Sequence, residues 1–150
     1  MTTPPQTRSD AGLASALRIS VSRLARRMRA ERLASGLEPG LSDTQLAALG
    51  ALESHGVMTP GELAEHEKVQ PPSMTRVIAA LEERGLVIRA PHASDRRQVV
   101  LTVTDQGKEV VRQSRRLREA WLAQRLRELT PQERALLRQA APILEKLSQA

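Results

Sequence analysis

The sequence has no cysteine, phenylalanine or tyrosine, and one tryptophan, Trp121, among its 150 residues. Without cysteine the chain can form no disulfide, thiolate metal site, cysteine nucleophile or thiol redox switch. With aromatics at 1% of residues, a core must come from Leu, Val, Ile, Ala and Met, which favours stacked helices over a β-sandwich. The same scarcity argues against RNA or single-strand binding, where bases stack on aromatic side chains. No apolar run approaches the roughly 18 to 20 residues of a membrane span, and the polar, proline-containing Met1 to Asp10 lacks the basic-then-apolar order of a leader. These absences read as a cytoplasmic chain with no membrane partner, disordered over residues 1–12.

Catalytic groups are equally scarce. The three histidines, His55, His66 and His92, stand in no recognised catalytic spacing, and there is no glycine-rich phosphate loop and no Ser-His-Asp order. The chain is therefore not expected to be an enzyme or to carry a cofactor. Glu62 and His66, four apart, share a helical face that a metal could use, so a metal-responsive regulator stands beside the alternative of a solvated pair; no metal site is assigned.

What is present begins with charge. The net +6 invites a nucleic-acid partner, because Lys and Arg neutralising phosphates supply the main sequence-independent part of DNA affinity. Its distribution is uneven: residues 1–41 hold seven Arg against three acids, residues 42–104 six bases against eight acids, and residues 105–150 ten bases against six acids. The middle of the chain is mildly acidic, so local placement has to carry any DNA-binding argument.

Leu13, Leu17, Val21, Leu24 and Met28 recur at the spacing of one helical face, which ends at the breaking run Ser35-Gly36-Leu37-Glu38-Pro39-Gly40. Ser42-Asp43-Thr44-Gln45 and Thr59-Pro60-Gly61-Glu62 have the form of capping boxes and predict a second helix to about His55 and a short third to about Glu67. Val69 to Ser73 turns into a fourth helix that stops at Gly85. The β-branched runs Leu86-Arg89 and Val99-Val103 flank a polar loop and read as a hairpin. Thr104 caps a fifth helix. Thr130-Pro131-Gln132-Glu133 opens a last one, which Pro142 should bend.

Two short helices, a tight turn, a further helix and a basic hairpin form a winged helix-turn-helix. At 100° per residue, Met74, Val77, Ile78 and Leu81 share one face of the fourth helix, and Pro72, Arg76, Ala79 and Glu83 lie opposite. Ser73 and Thr75 flank that outer face. Ser73 suits a phosphate contact helped by free backbone N–H groups, and Arg76 can reach guanine O6 and N7. Taken alone, Arg76 reads better as a solvated surface charge. The hairpin loop adds Asp95, Arg96 and Arg97, where a carboxylate two residues away can brace an arginine suited to a narrow minor groove.

Asp95, Arg97, Leu101, Val103, Thr104 and Gly107 match the wing signature of the MarR family of bacterial regulators, and the chain resembles that family, closest to its SlyA-like branch. Gln70-Pro71-Pro72-Ser73 with Arg76, then Leu81 to Val87, resembles that branch's recognition helix; the motifs span about residues 42 to 107. The resemblance implies a mainly α fold with a small β-hairpin wing. Residues 42–104 would be the DNA-binding module, and 13–41 with 105–150 a helical dimerisation region. It further implies a homodimer on a pseudo-palindromic operator in double-stranded DNA, probing it with Gln70, Pro72, Ser73, Thr75, Arg76, Asp95, Arg96 and Arg97 and acting as a repressor.

Many members respond to a small phenolic or anionic lipophilic effector. Arg23, Arg26, Leu52 and His55 are the candidate contacts here, against the alternative of surface or interhelix groups, while Trp121 reads as a dimer-core residue. A winged-helix protein-interaction module is the remaining alternative; it would need an apolar or acidic outer face on the fourth helix.

Overall fold

A helix begins where its first free backbone N–H groups find acceptors, and this chain supplies them at almost every start. The computed structural model describes residues 7–36 and 40–150. In order they form α1 (Asp10–Ala34), α2 (Asp43–His55), α3 (Pro60–Glu67), α4 (Pro71–Glu83), β1 (Val87–Pro91), β2 (Val99–Val103), α5 (Asp105–Arg127) and α6 (Pro131–Ser148). All three capping boxes close. The Ser42, Thr59 and Thr130 hydroxyls accept from Gln45, Glu62 and Glu133 N–H at 3.1, 3.1 and 3.2 Å, and those side chains accept in return from the cap N–H groups. Ser9 Oγ accepts from Gly12 N–H at 3.1 Å, so residues 10–12, expected within the disordered terminus, are helical; residues 1–6 lie outside the described residues. Helix α6 continues through Pro142 as one element.

Two compact units divide the chain: residues 1–31 with 117–150, and residues 32–116. The boundaries fall inside α1 and α5 rather than in loops. The second unit contains every buried hydrophobic side chain of the described residues, with Leu49, Leu63, Met74, Ile78, Leu81, Leu86, Val87 and Leu101 almost fully enclosed. Each such side chain contributes about 1.5–3 kcal/mol on burial. In the first unit Arg27 lies over the Trp121 ring at 5.9 Å, a cation–π contact, and no large apolar side chain is fully enclosed.

The hairpin pairs antiparallel from Val87 opposite Val103 to Pro91 opposite Val99. A third segment joins it. Met58, between α2 and α3, bridges Leu101, whose N–H donates to Met58 O at 2.7 Å, so the wing sheet is anchored to the helical core on its inner edge. Thr104 clasps the other end: its hydroxyl donates to Gly85 O at 2.7 Å and accepts from Gly107 N–H at 3.1 Å, while its own N–H donates to Leu86 O at 3.0 Å. Gly107 leaves no room for a side chain, since a Cβ there would sit 2.3 Å from Leu86 O and 2.7 Å from Val103 Cγ1. The Thr-x-x-Gly signature thus locks the base of the wing to the start of α5.

Candidate nucleic-acid interface

The turn from α3 into α4 is tight because Lys68 takes a left-handed conformation, φ 54°, at the end of α3. Helix α4 then packs by Met74, Ile78 and Leu81, all buried, with Val77 half-buried beside them. This is the face that the 100° rotation selects, and Pro72, Ser73, Thr75, Arg76, Ala79 and Glu83 are all exposed. Glu83 lies seven residues beyond Arg76, about 10 Å along the axis, at the C-terminal end of the face. The N-terminal half therefore presents Arg76 without an adjacent carboxylate on the outer face.

The first turn of α4 departs from expectation. Pro71 and Pro72 occupy its first positions and carry no N–H, so Ser73 alone offers a free backbone donor, together with its hydroxyl. The several free N–H groups expected there reduce to one. Gln70 is the cap residue in extended conformation, but its side chain makes no cap hydrogen bond and is exposed. Thr75 turns its hydroxyl back to Pro71 O at 3.0 Å, so the group expected to contact DNA is already engaged within the helix.

In the wing, Asp95 does not brace a guanidinium as expected. Its Oδ1 accepts from the backbone N–H of Arg97 at 3.0 Å, which shapes the loop and leaves both arginine heads outward. A group the sequence reading missed sits beside it: His92 Nδ1 accepts from the N–H groups of Ser94 and Asp95, each at 3.2 Å. The signal available was a histidine at the loop mouth followed by Ser-Asp, a run rich in turn-forming groups. Arg89, on β1, donates to Glu82 on α4 at 2.5 Å and so ties the wing to the fourth helix.

Four arginines of this unit are paired, and the three at the candidate interface are not. Arg32 is 8% exposed and paired with Asp43 at 2.7 Å; Arg89, Arg112 and Arg115 pair with Glu82, Glu109 and Glu53. Arg76, Arg96 and Arg97 are exposed and have no side-chain hydrogen bond or ion pair among the described residues. A cation not neutralised within its own chain is free to neutralise a phosphate or reach a base edge.

The other candidates are divided between the two units. Leu52 is 2% exposed and belongs to the core because its face of α2 packs inward, while His55 is exposed, with its Nδ1 at 3.1 Å from Ala51 O. Arg23 and Arg26 are exposed on α1 in the other unit, so neither unit alone gathers the four proposed effector contacts. Glu62 is turned back onto the Thr59 cap, and His66 faces Glu67 at 3.5 Å and the His55 ring at 4.4 Å, so the Glu62–His66 pair does not converge. Among the described residues no three metal-ligating side chains cluster, and no helix is long and apolar enough to cross a membrane.

Residues 41–99 match the model of the MarR family. Over 136 residues the chain is 49% identical to an uncharacterised HTH-type transcriptional regulator of Mycobacterium bovis, covering 91% of this chain and 92% of that one. It is 33% identical to the HTH-type transcriptional repressor MdtR of Bacillus subtilis over 92% of this chain and 87% of MdtR. A solved MarR family protein from Bacillus stearothermophilus superposes with a TM-score of 0.80 at 23% identity, over 99% of this chain and 100% of that one, a likeness of fold.

Proposed function

Because the chain belongs to the MarR family of winged helix-turn-helix transcriptional regulators, we propose that it is a cytoplasmic repressor that binds a pseudo-palindromic duplex operator as a homodimer. The observation that carries this reading is the set of exposed, unpaired arginines, Arg76 on the outer face of α4 and Arg96 and Arg97 on the wing loop. In the proposal the N-terminal half of α4 enters the major groove, with Ser73 donating to a phosphate and Arg76 reading a base edge. Arg97 enters the flanking minor groove, where a narrow A·T-rich stretch concentrates negative potential.

The homodimer is supported by the first unit. Leu13, Val21 and Leu24 on α1 and Leu136, Leu137, Ile143, Leu144 and Leu147 on α6 are each at least 40% exposed, two apolar stripes with too little enclosed surface to hold helices on their own. A second copy would cover them and set two recognition helices about 34–36 Å apart, one turn of DNA. Repression is proposed from the name of the Bacillus subtilis relative.

A salt-titrated assay of the purified chain on duplex and single-stranded versions of its own upstream DNA tests this. Preferential duplex binding with two chains per site, weakening steeply with salt, supports the reading. Equal, weak binding to both strand forms contradicts it and makes α4 a protein-binding surface.

A further inference from the structure

We infer that His92 is a positioning residue for DNA binding: through Nδ1 it holds the wing loop in the one conformation that presents Arg96 and Arg97 outward. The inference rests on the DNA-binding reading above and deepens it. Residues 92–98 are seven residues between two paired strands, long enough to adopt many conformations. Five of their backbone N–H groups are nevertheless fixed inside the loop. His92 N–H donates to Gln98 O and Gln98 N–H to Asp95 O, each at 3.0 Å, closing the neck and the return. Arg97 N–H donates to Asp95 Oδ1, and Ser94 and Asp95 N–H donate to His92 Nδ1.

Two side chains therefore organise the loop from opposite ends, and the arginines ride between and beside their anchors. Backbone N–H groups are donors only, so Nδ1 must be the unprotonated ring nitrogen and the proton of the neutral ring must reside on Nε2. The Ser94 hydroxyl, 3.2 Å from the same nitrogen, can donate to it as a third group. The ring is half-buried while Arg96 and Arg97 are exposed, so His92 acts on DNA through the arginines rather than by touching it.

The chemistry predicts which replacements work. Asn carries Oδ1 at the same number of bonds from Cα as Nδ1 and can accept from both amides. Gln places its acceptor one bond further out, and Ala has none. The probe is a duplex enriched by the wild-type chain from a random-sequence pool and titrated at fixed salt. His92→Ala should bind it about fivefold more weakly, the equivalent of losing a net hydrogen bond. His92→Gln should behave like Ala, and His92→Asn should stay within about twofold of wild type.

On an Arg96→Ala, Arg97→Ala background, His92→Ala should add less than about a twofold loss, because the groups it positions are gone. Nitrogen-15 spectra of the wild-type ring should show Nδ1 unprotonated. An unchanged affinity for His92→Ala when Arg97→Ala does weaken binding would overturn the inference and leave the wing reading intact. So would an undiminished fivefold loss on the double background, or a protonated Nδ1. If the double arginine variant itself binds normally, the wing reading fails and the role of His92 fails with it.

Discussion

The two units of this chain solve opposite problems. Residues 32–116 hold a finished core and carry eleven basic and eleven acidic residues, no net charge at all. Residues 1–31 with 117–150 hold twelve bases against six acids, the whole net +6, and enclose no large apolar side chain fully. Net charge therefore points away from the unit that carries the proposed DNA contacts. Within the neutral unit Arg32, Arg89, Arg112 and Arg115 are each paired with one of its own carboxylates, while Arg76, Arg96 and Arg97 are not. The basic unit encloses little of its own apolar surface, and the second copy proposed above would cover its exposed stripes.

The strongest way to break this contrast is to remove volume from each unit. Leu49→Ala, at a fully enclosed site, should cost about 3–5 kcal/mol in denaturant unfolding, independent of protein concentration. Leu136→Ala, at a site 58% exposed, should instead lower Tm by an amount that grows with protein concentration to a plateau, because its proposed partner is another chain. Concentration-independent loss at Leu136 would place its contacts within the chain.

Next in size is charge placed on the apolar stripe. Ile143→Glu with Leu147→Glu, at sites 61% and 59% exposed, should yield monomers by light scattering and weaken duplex binding about 100-fold by desolvating two carboxylates at the pairing face. A dimer of unchanged mass would move the pairing surface elsewhere. Gly107→Ala should cost about 1–3 kcal/mol in thermal unfolding, since the new methyl meets Leu86 O at the wing's base. Unchanged stability would mean that α5 can shift freely against the hairpin.

The smallest expected changes fall on the interface, and they should leave stability untouched. Arg97→Ala should weaken operator binding about tenfold, roughly 1.4 kcal/mol, and lower the salt slope by about one. Arg76→Ala should cost about 1–3 kcal/mol and relax preference at one base position of each half-site. A loss at Arg76 that is uniform over all sequences would recast it as a phosphate contact.

Much of this was legible in the sequence because the signals were local. The capping boxes at Ser42, Thr59 and Thr130 closed as written, and the 3.6-residue period of α4 separated Met74, Ile78 and Leu81 from Arg76 and Glu83. What was not legible depended on contacts across the chain. The Met58 bridge to Leu101 joins residues more than forty positions apart, and nothing about Met58 announces a strand. Asp95 was assigned to a guanidinium, but the nearer backbone N–H of Arg97 took its carboxylate, as short polar side chains in turns commonly allow. The paired prolines of α4 read as a helix start, but their missing donors reduce the anion-binding capacity of that terminus to Ser73. Leu52 shows the same limit, since a leucine stripe does not reveal which member faces a core and which a ligand.

The most direct test of the account is selection of duplexes from a random-sequence pool by the purified chain, followed by sequencing of the bound fraction. The account predicts an inverted repeat whose half-sites lie about one helical turn apart, with an A·T-rich flank where each wing would sit. Recovery of a single unpaired half-site would contradict the homodimer, and a pool with no enriched sequence would contradict the assignment of α4 and the wing as readers of DNA.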